Sequence, residues 1–251
     1  MNLVQALTPK MPARVAIVGG GGKTSALFQL ARQLNGQSWV STTTHLGTDQ
    51  LGFADKHFIV NRVMDVEVEQ WLSQKVTLLT GEFTPDDRVE GPGDELLQQL
   101  YRLAEDHRVS ILVEADGSRS RPIKAPGINE PATPAWAEMV ITVVGLSALG
   151  LPFTEATVHR VDPFIRITGL PVGQPITIEN IRDLLASPLG GLKNSPANAV
   201  KAALLNQADT PEICEQAKKI APELIRAGYD YVLVGSLKYA SNDLWCFQKE
   251  K

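Results

Sequence analysis

Residues 19–25 read GGGGKTS, a set of residue types with one demanding use. Backbone N–H groups that converge on phosphate oxygens at a helix N-terminus need turns and close approaches that side chains obstruct, and glycine permits both. Lys23 would then supply a point charge for the β- and γ-phosphates, and the Thr24 hydroxyl would coordinate a bridging Mg2+. Gly19, Gly20, Gly21, Gly22, Lys23, Thr24 and Ser25 are therefore the candidate nucleotide-binding residues, Lys23 also being a candidate for catalysis. The plainer reading is a glycine-rich turn with an exposed lysine. The apolar run before the loop and the stripe of Leu27, Leu30, Ala31 and Leu34 after it place the loop between a buried strand and an amphipathic helix, which favours the ligand site.

Two common glycine loops do not fit. A dinucleotide fingerprint needs a third glycine at Thr24 or Ser25 and an acid at the end of the next strand, where Thr42, Thr43 and Thr44 stand instead. The G-x-x-x-x-G-K-[ST] loop would begin at Ile17, inside the strand. The segment resembles the shorter deviant Walker A pattern K-G-G-x-G-K-[ST] of the P-loop branch that includes the nitrogenase iron-protein ATPases. Val18 replaces the signature lysine of that pattern, so a dimer sharing this lysine is not expected.

Other residues would complete such a site. Glu114 and Asp116 follow the apolar run ILV, where an acid would orient Mg2+; Asp116 is the first choice for the metal and a catalytic role, Glu114 the second. Thr43, in the STTTH segment, adds a hydroxyl for metal or phosphate, although threonines also simply suit a strand. Asn206 and Asp209 follow another apolar run and resemble the N-K-x-D base-recognition motif of GTPases, with Gln207 in place of lysine and Ser236 in a second base-contacting loop. GTP and ATP both stay open. Arg119, Arg121, Lys124, His159 and Arg160 form a candidate pocket for a second, anionic ligand, such as a pterin phosphate or a partner's carboxylates.

The elements that must position these residues are legible as alternating patterns. Apolar, β-rich runs at residues 15–18, 39–40, 58–60, 76–79, 111–113, 139–144, 202–205 and 231–234 alternate with helical stripes, among them Leu96, Leu97, Leu100, Leu103 and Ala104. Thr210 and Pro211 announce a further helix, expected to break at Pro222 and to close at Gly228. This alternation predicts an α/β, three-layer P-loop NTPase-like fold with a mainly parallel sheet, as one domain over residues 1–251. A proline-rich insert is expected at about 118–198, and an exposed, mobile loop near the site at 82–95. With 251 residues and 43% apolar content the chain can bury a sizeable core. A net charge of −4 gives no general attraction to nucleic acid or an anionic membrane, and no apolar run is long enough to span one, so a cytoplasmic protein with a small-molecule partner is expected. Cys214 and Cys246 lack metal or disulfide spacing and are expected to be buried thiols; the four tryptophans, Trp39, Trp71, Trp136 and Trp245, are expected to pack.

Taken together, VGGGGKTS, STTTH, EADGSRSRPIKAP, TVHR, GGLKN and LLNQAD are similar to the YqeC family, named as selenium-dependent molybdenum hydroxylase accessory proteins. The resemblance implies a cytoplasmic nucleotide-binding protein that assists maturation of a molybdenum hydroxylase, with the molybdenum cofactor or the hydroxylase apoprotein as partner. The resulting expectation is Mg2+-dependent binding and slow, switch-like hydrolysis of GTP or ATP. A phosphoryl or nucleotidyl transferase acting on a molybdenum cofactor precursor, and a non-catalytic nucleotide-binding module, are the alternatives.

Overall fold

A computed structural model describes residues 1–63, 65–238 and 244–250. Its elements run α1 (Leu3–Leu7), β1 (Arg14–Gly19), α2 (Lys23–Gln33), β2 (Ser38–Thr42), β3 (His45–Gly47), β4 (Lys56–Ile59), α3 (Asp65–Trp71) and β5 (Val76–Thr80). There follow β6 (Phe83–Thr84), β7 (Arg88–Glu90), α4 (Asp94–Asp106), β8 (Ser110–Glu114), β9 (Ile123–Lys124), β10 (Met139–Gly145) and β11 (Val158–His159). The chain closes with α5 (Val161–Thr168), α6 (Ile178–Ala186), β12 (Val200–Asn206), α7 (Pro211–Ala227), β13 (Tyr231–Val234) and β14 (Trp245–Gln248).

The architecture is mixed α/β around a nine-stranded sheet ordered β14-β13-β12-β10-β1-β8-β2-β5-β4, parallel except for β14. Strands β1, β8 and β10 are buried along their whole length, as continuous apolar runs in a parallel sheet should be. Successive residues of one strand serve opposite faces. Val15 and Ile17 pack with helices α1 and α2, whereas Ala16 and Val18 pack with Ala115, Ala137 and Val140. In β12, Leu204 joins the first of these cores and Leu205 a core shared with α6 and α7. Trp39 and Trp71 anchor a further core with α4, their rings 5.6 Å apart and edge to face.

Parallel register puts the candidate residues at one sheet edge. Ile17 of β1 and Thr42 of β2 both pair with Glu114 of β8, Gly19 pairs with Val143, and Gly145 pairs with Asn206. The ends of β1, β2, β8, β10 and β12 thus open side by side, the position at which parallel α/β sheets gather ligands.

Three expectations change. The 82–95 stretch carries β6 and β7, which form a small antiparallel sheet with β3, because Val89 alone of that polar hairpin is buried and anchors it. Helix α7 runs unbroken through Pro222, since Ala217, Ile220, Ala221 and Leu224 bury a stripe on both sides of the proline and offset the loss of its N–H hydrogen bond. Trp245 is 54% exposed on the edge strand β14, with the Lys218 amine 3.4 Å from its ring centre, so it packs against a cation and not in a core. The proline-rich span 118–198 supplies β10 to the middle of the large sheet, while β9 and β11 pair with each other and α5 and α6 pack beyond them. Both cysteines are free and half-buried. Among the described residues no helix is long and apolar enough to cross a membrane.

Candidate functional site

The glycine loop divides its amides into two groups. Gly19 N–H donates to both Asp116 carboxylate oxygens at 3.0 and 3.1 Å, Gly20 N–H to the Val143 carbonyl at 2.9 Å, and Gly21 N–H to the Arg121 carbonyl at 3.1 Å. These amides are consumed by the fold. Gly21 is also fixed as glycine by its φ of +75° and by space, since a Cβ there would lie 2.3 Å from Gly145 N and 2.6 Å from the Pro122 carbonyl oxygen. Beyond it, the N–H groups of Gly22, Lys23, Thr24 and Ser25 meet no acceptor among the described residues, Gly22 offers no side-chain cap, and the first helical bond is Ala26 N–H to Gly22 O. The residues of this second group, with Gly21, line a polar cleft of about 550 Å³ that is also lined by Glu114, Arg119 and Arg121.

Lys23 lines this cleft, but its amine is held by groups of the protein. Its amine donates to the Gly19 carbonyl at 3.0 Å and lies 3.4 Å from Glu114 Oε1 and 3.6 Å from Asp116 Oδ1, leaving the residue 4% exposed. Thr24 donates its hydroxyl to Glu114 Oε2 at 2.9 Å. Burial pushes the Glu114 carboxyl above its ordinary pKa, against the pull of Lys23 and the Thr24 hydroxyl. Thr42 braces the neighbouring turn by donating to Glu114 O at 3.1 Å and accepting from Thr44 N–H at 3.0 Å. The hydroxyl of Thr43 is buried and has no partner among the described residues.

Asp116 has a different setting. Besides Gly19 N–H it meets Lys124, whose amine lies 3.0 Å from Asp116 Oδ2 and 3.2 Å from Glu130 Oε2 and donates to the Gly117 carbonyl at 2.7 Å. Arg160 closes the chain by donating from Nε and Nη2 to the two Glu130 oxygens at 2.8 and 2.7 Å. Although burial opposes it, the Arg160 and Gly127 hydrogen bonds and the Lys124 charge hold Glu130 down at about 2. Burial first, then Lys124 and Arg160, lower the His159 imidazole to about 4. Of the five second-ligand candidates, Arg119 and Arg121 therefore line the cleft, whereas Lys124, His159 and Arg160 belong to a network behind the loop. Arg119 and Ser120 hold left-handed backbone, with φ of +50° and +59°, and Arg121 is tied to the Glu155 and Arg119 carbonyls.

The base-recognition candidates separate as well. Asn206 donates its amide to the Gly21 carbonyl at 2.8 Å and accepts from Leu237 N–H at 3.0 Å, so both ends of its side chain bind loops together. Asp209 is exposed, and Ser236 accepts from Lys238 N–H at 3.3 Å. Gln207, at φ +62°, lines the cleft and accepts from the Ser147 hydroxyl at 2.7 Å.

Sequence reasoning set the 82–95 stretch near the site but named none of Asp86, Asp87 and Arg88, and it did not single out Asp49 and Gln50, which line the same cleft. The available signal was the polar 82–95 stretch; nothing in spacing ties it to residues 45–50. The oxygens of Thr24, Glu114 and Thr43 are the hard donors that Mg2+ prefers. Among the described residues no group of three or more His, Cys, Asp or Glu side chains could hold a metal ion, so these donors suit an ion shared with a phosphate and water and not a protein cage.

Comparison with known proteins matches residues 15–162 to a family model described as YqeC protein. A curated relative, the uncharacterized protein YqeC of Escherichia coli (strain K12), is 31% identical over 214 residues, covering 83% of this chain and 80% of that protein.

Proposed function

From its place in the YqeC family, to which the chain belongs, we propose that this protein is a P-loop NTPase-like switch that binds GTP or ATP with Mg2+ in the cleft beside α2 and assists maturation of a molybdenum hydroxylase. The observation that carries this reading is the group of four N–H donors, Gly22 to Ser25, that meet no acceptor among the described residues, at the positive end of an eleven-residue helix with Lys23 in its first turn. Phosphate oxygens would satisfy those donors. Lys23 would stabilise the β/γ-phosphate charge, and Thr24, Glu114 and Thr43 would hold Mg2+, which supplies charge neutralisation at the phosphates. Glu114 takes precedence over Asp116 in this role because Asp116 is engaged by Gly19, Lys23 and Lys124. Asn206 sets the loop, and Asp209 and Ser236 remain the groups for a base. The molybdenum cofactor or an apo-hydroxylase is the partner, in the cytoplasm, with nucleotide state altering the loops at 42–45 and 114–124.

A second reading, phosphoryl or nucleotidyl transfer to a molybdenum cofactor precursor, draws on the cleft itself, which continues past the helix terminus to Arg119, Arg121 and the β7 wall and so has room for a second anion. One assay separates the two. Purified protein given Mg2+, ATP, GTP or CTP and an added pterin cofactor should release inorganic phosphate alone if it is a switch, and should yield a phosphorylated or nucleotidylated pterin, formed only when the pterin is present, if it is a transferase. Lys23→Ala should weaken nucleotide binding by on the order of 100-fold. Unchanged affinity in that variant would defeat both readings.

A further inference from the structure

Lys23 lies deeper than a phosphate-binding lysine needs to be. Its amine is shared between two carboxylates whose side chains are only 7% and 3% exposed, and it is also bound to the Gly19 carbonyl. Asp116 keeps Lys124 when Lys23 leaves; Glu114 keeps only the Thr24 hydroxyl. A buried carboxylate stripped of its cation is strongly disfavoured, so movement of Lys23 toward an anion in the cleft needs another positive charge at Glu114. The same cleft is lined by Thr24, whose hydroxyl already bonds Glu114 and offers a further oxygen donor for it.

We propose, resting on the reading of the cleft as a triphosphate site, that Lys23 is a latch closed on Glu114, and that the site admits a triphosphate only together with a divalent cation that replaces Lys23 there. Glu114 is then the residue that discriminates metal-complexed from free polyphosphate. The cation and the lysine exclude each other at Glu114 until an anion draws the lysine away. Free divalent cation is refused because Lys23 occupies its place, and free polyphosphate is refused because Lys23 cannot leave.

Two titrations on the full chain test this. In the first, Mn2+ without nucleotide is followed by electron paramagnetic resonance on the wild type, Lys23→Met and Lys23→Arg, with melting curves to establish that each variant is folded. Lys23→Met should bind Mn2+ at least about 10-fold more tightly than the wild type, and Lys23→Arg, which keeps the charge, should exclude it as the wild type does. Equal Mn2+ affinity in Lys23→Met and the wild type overturns the latch. In the second, inorganic tripolyphosphate is titrated calorimetrically into the wild type with Mg2+ or with EDTA, with an expected loss on the order of 100-fold in EDTA. Equal affinity in the two buffers overturns the admission rule. Absence of binding in both overturns the triphosphate reading and the admission rule with it, while the Mn2+ arm still decides whether Lys23 blocks Glu114.

Discussion

Glu114 and Asp116 stand two residues apart at the end of β8, yet they belong to regions of opposite character. Asp116 sits in a closed network: Gly19 N–H, Lys23 and Lys124 all meet its carboxylate within 3.6 Å, and Lys124 and Arg160 in turn meet Glu130. Glu114 sits in an open one, lining a cleft with the residues of four helix-end amides that meet no acceptor among the described residues, and it shares Lys23 with Asp116. The two acids have similar burial and chemistry. What differs is unmet bonding capacity, and that is where a ligand has something to gain.

The difference is broken most severely from the closed side. Lys124→Ala leaves Asp116 and Glu130 without their shared cation and should cost about 3–5 kcal/mol in urea unfolding. A loss under about 1 kcal/mol would mean that the back network is no tighter than a surface pair. Gly21→Ala probes the seam between the regions. Its φ of +75° and the 2.3 Å approach to Gly145 N should together cost about 2–4 kcal/mol, read as a lower melting temperature. A neutral effect would show that the loop is free to move off β10.

The smallest expected effect is the pH dependence at His159. Its pKa falls from 6.5 to about 4 on folding, so its stabilisation is complete above pH 6.5 and is lost as pH drops through 4, where the folded state must also protonate. Over that window the unfolded chain binds the extra proton, and stability declines with falling pH. His159→Gln should flatten the dependence of melting temperature between pH 6.5 and 4. An unchanged curve would place the imidazole outside the network.

Most of the large sheet was legible because its strands are continuous apolar runs, buried on both faces, and such runs announce themselves without any knowledge of partners. Helix α7 was equally plain at its ends: Thr210 accepts from Ile213 N–H as its N-cap, and Gly228 closes it. The hairpin of β6 and β7 was not, because two- and three-residue strands with one buried valine carry no periodicity. The site was legible to the level of residue type but not of pairing. Lys23, Thr24, Glu114 and Thr43 were all named as candidates, yet the sequence gives no sign that Lys124 belongs to Asp116 and Glu130, or that Asn206 clasps Gly21 across 185 positions. Such partners meet only after the sheet order is set. Lys124 and Arg160 look like free cations along the chain, and become network members through the pairing of β9 with β11.

The claim that the front of the loop is the ligand-binding half is tested most directly by amide NMR of the 15N-labelled protein titrated with Mg2+ and GTP or ATP. The account predicts large shifts for the N–H groups of Gly22, Lys23, Thr24 and Ser25, with much smaller ones for Gly19, Gly20 and Gly21, whose hydrogen bonds are already made. Nucleotide binding that leaves those four amides unmoved, or that moves the first three instead, would contradict it.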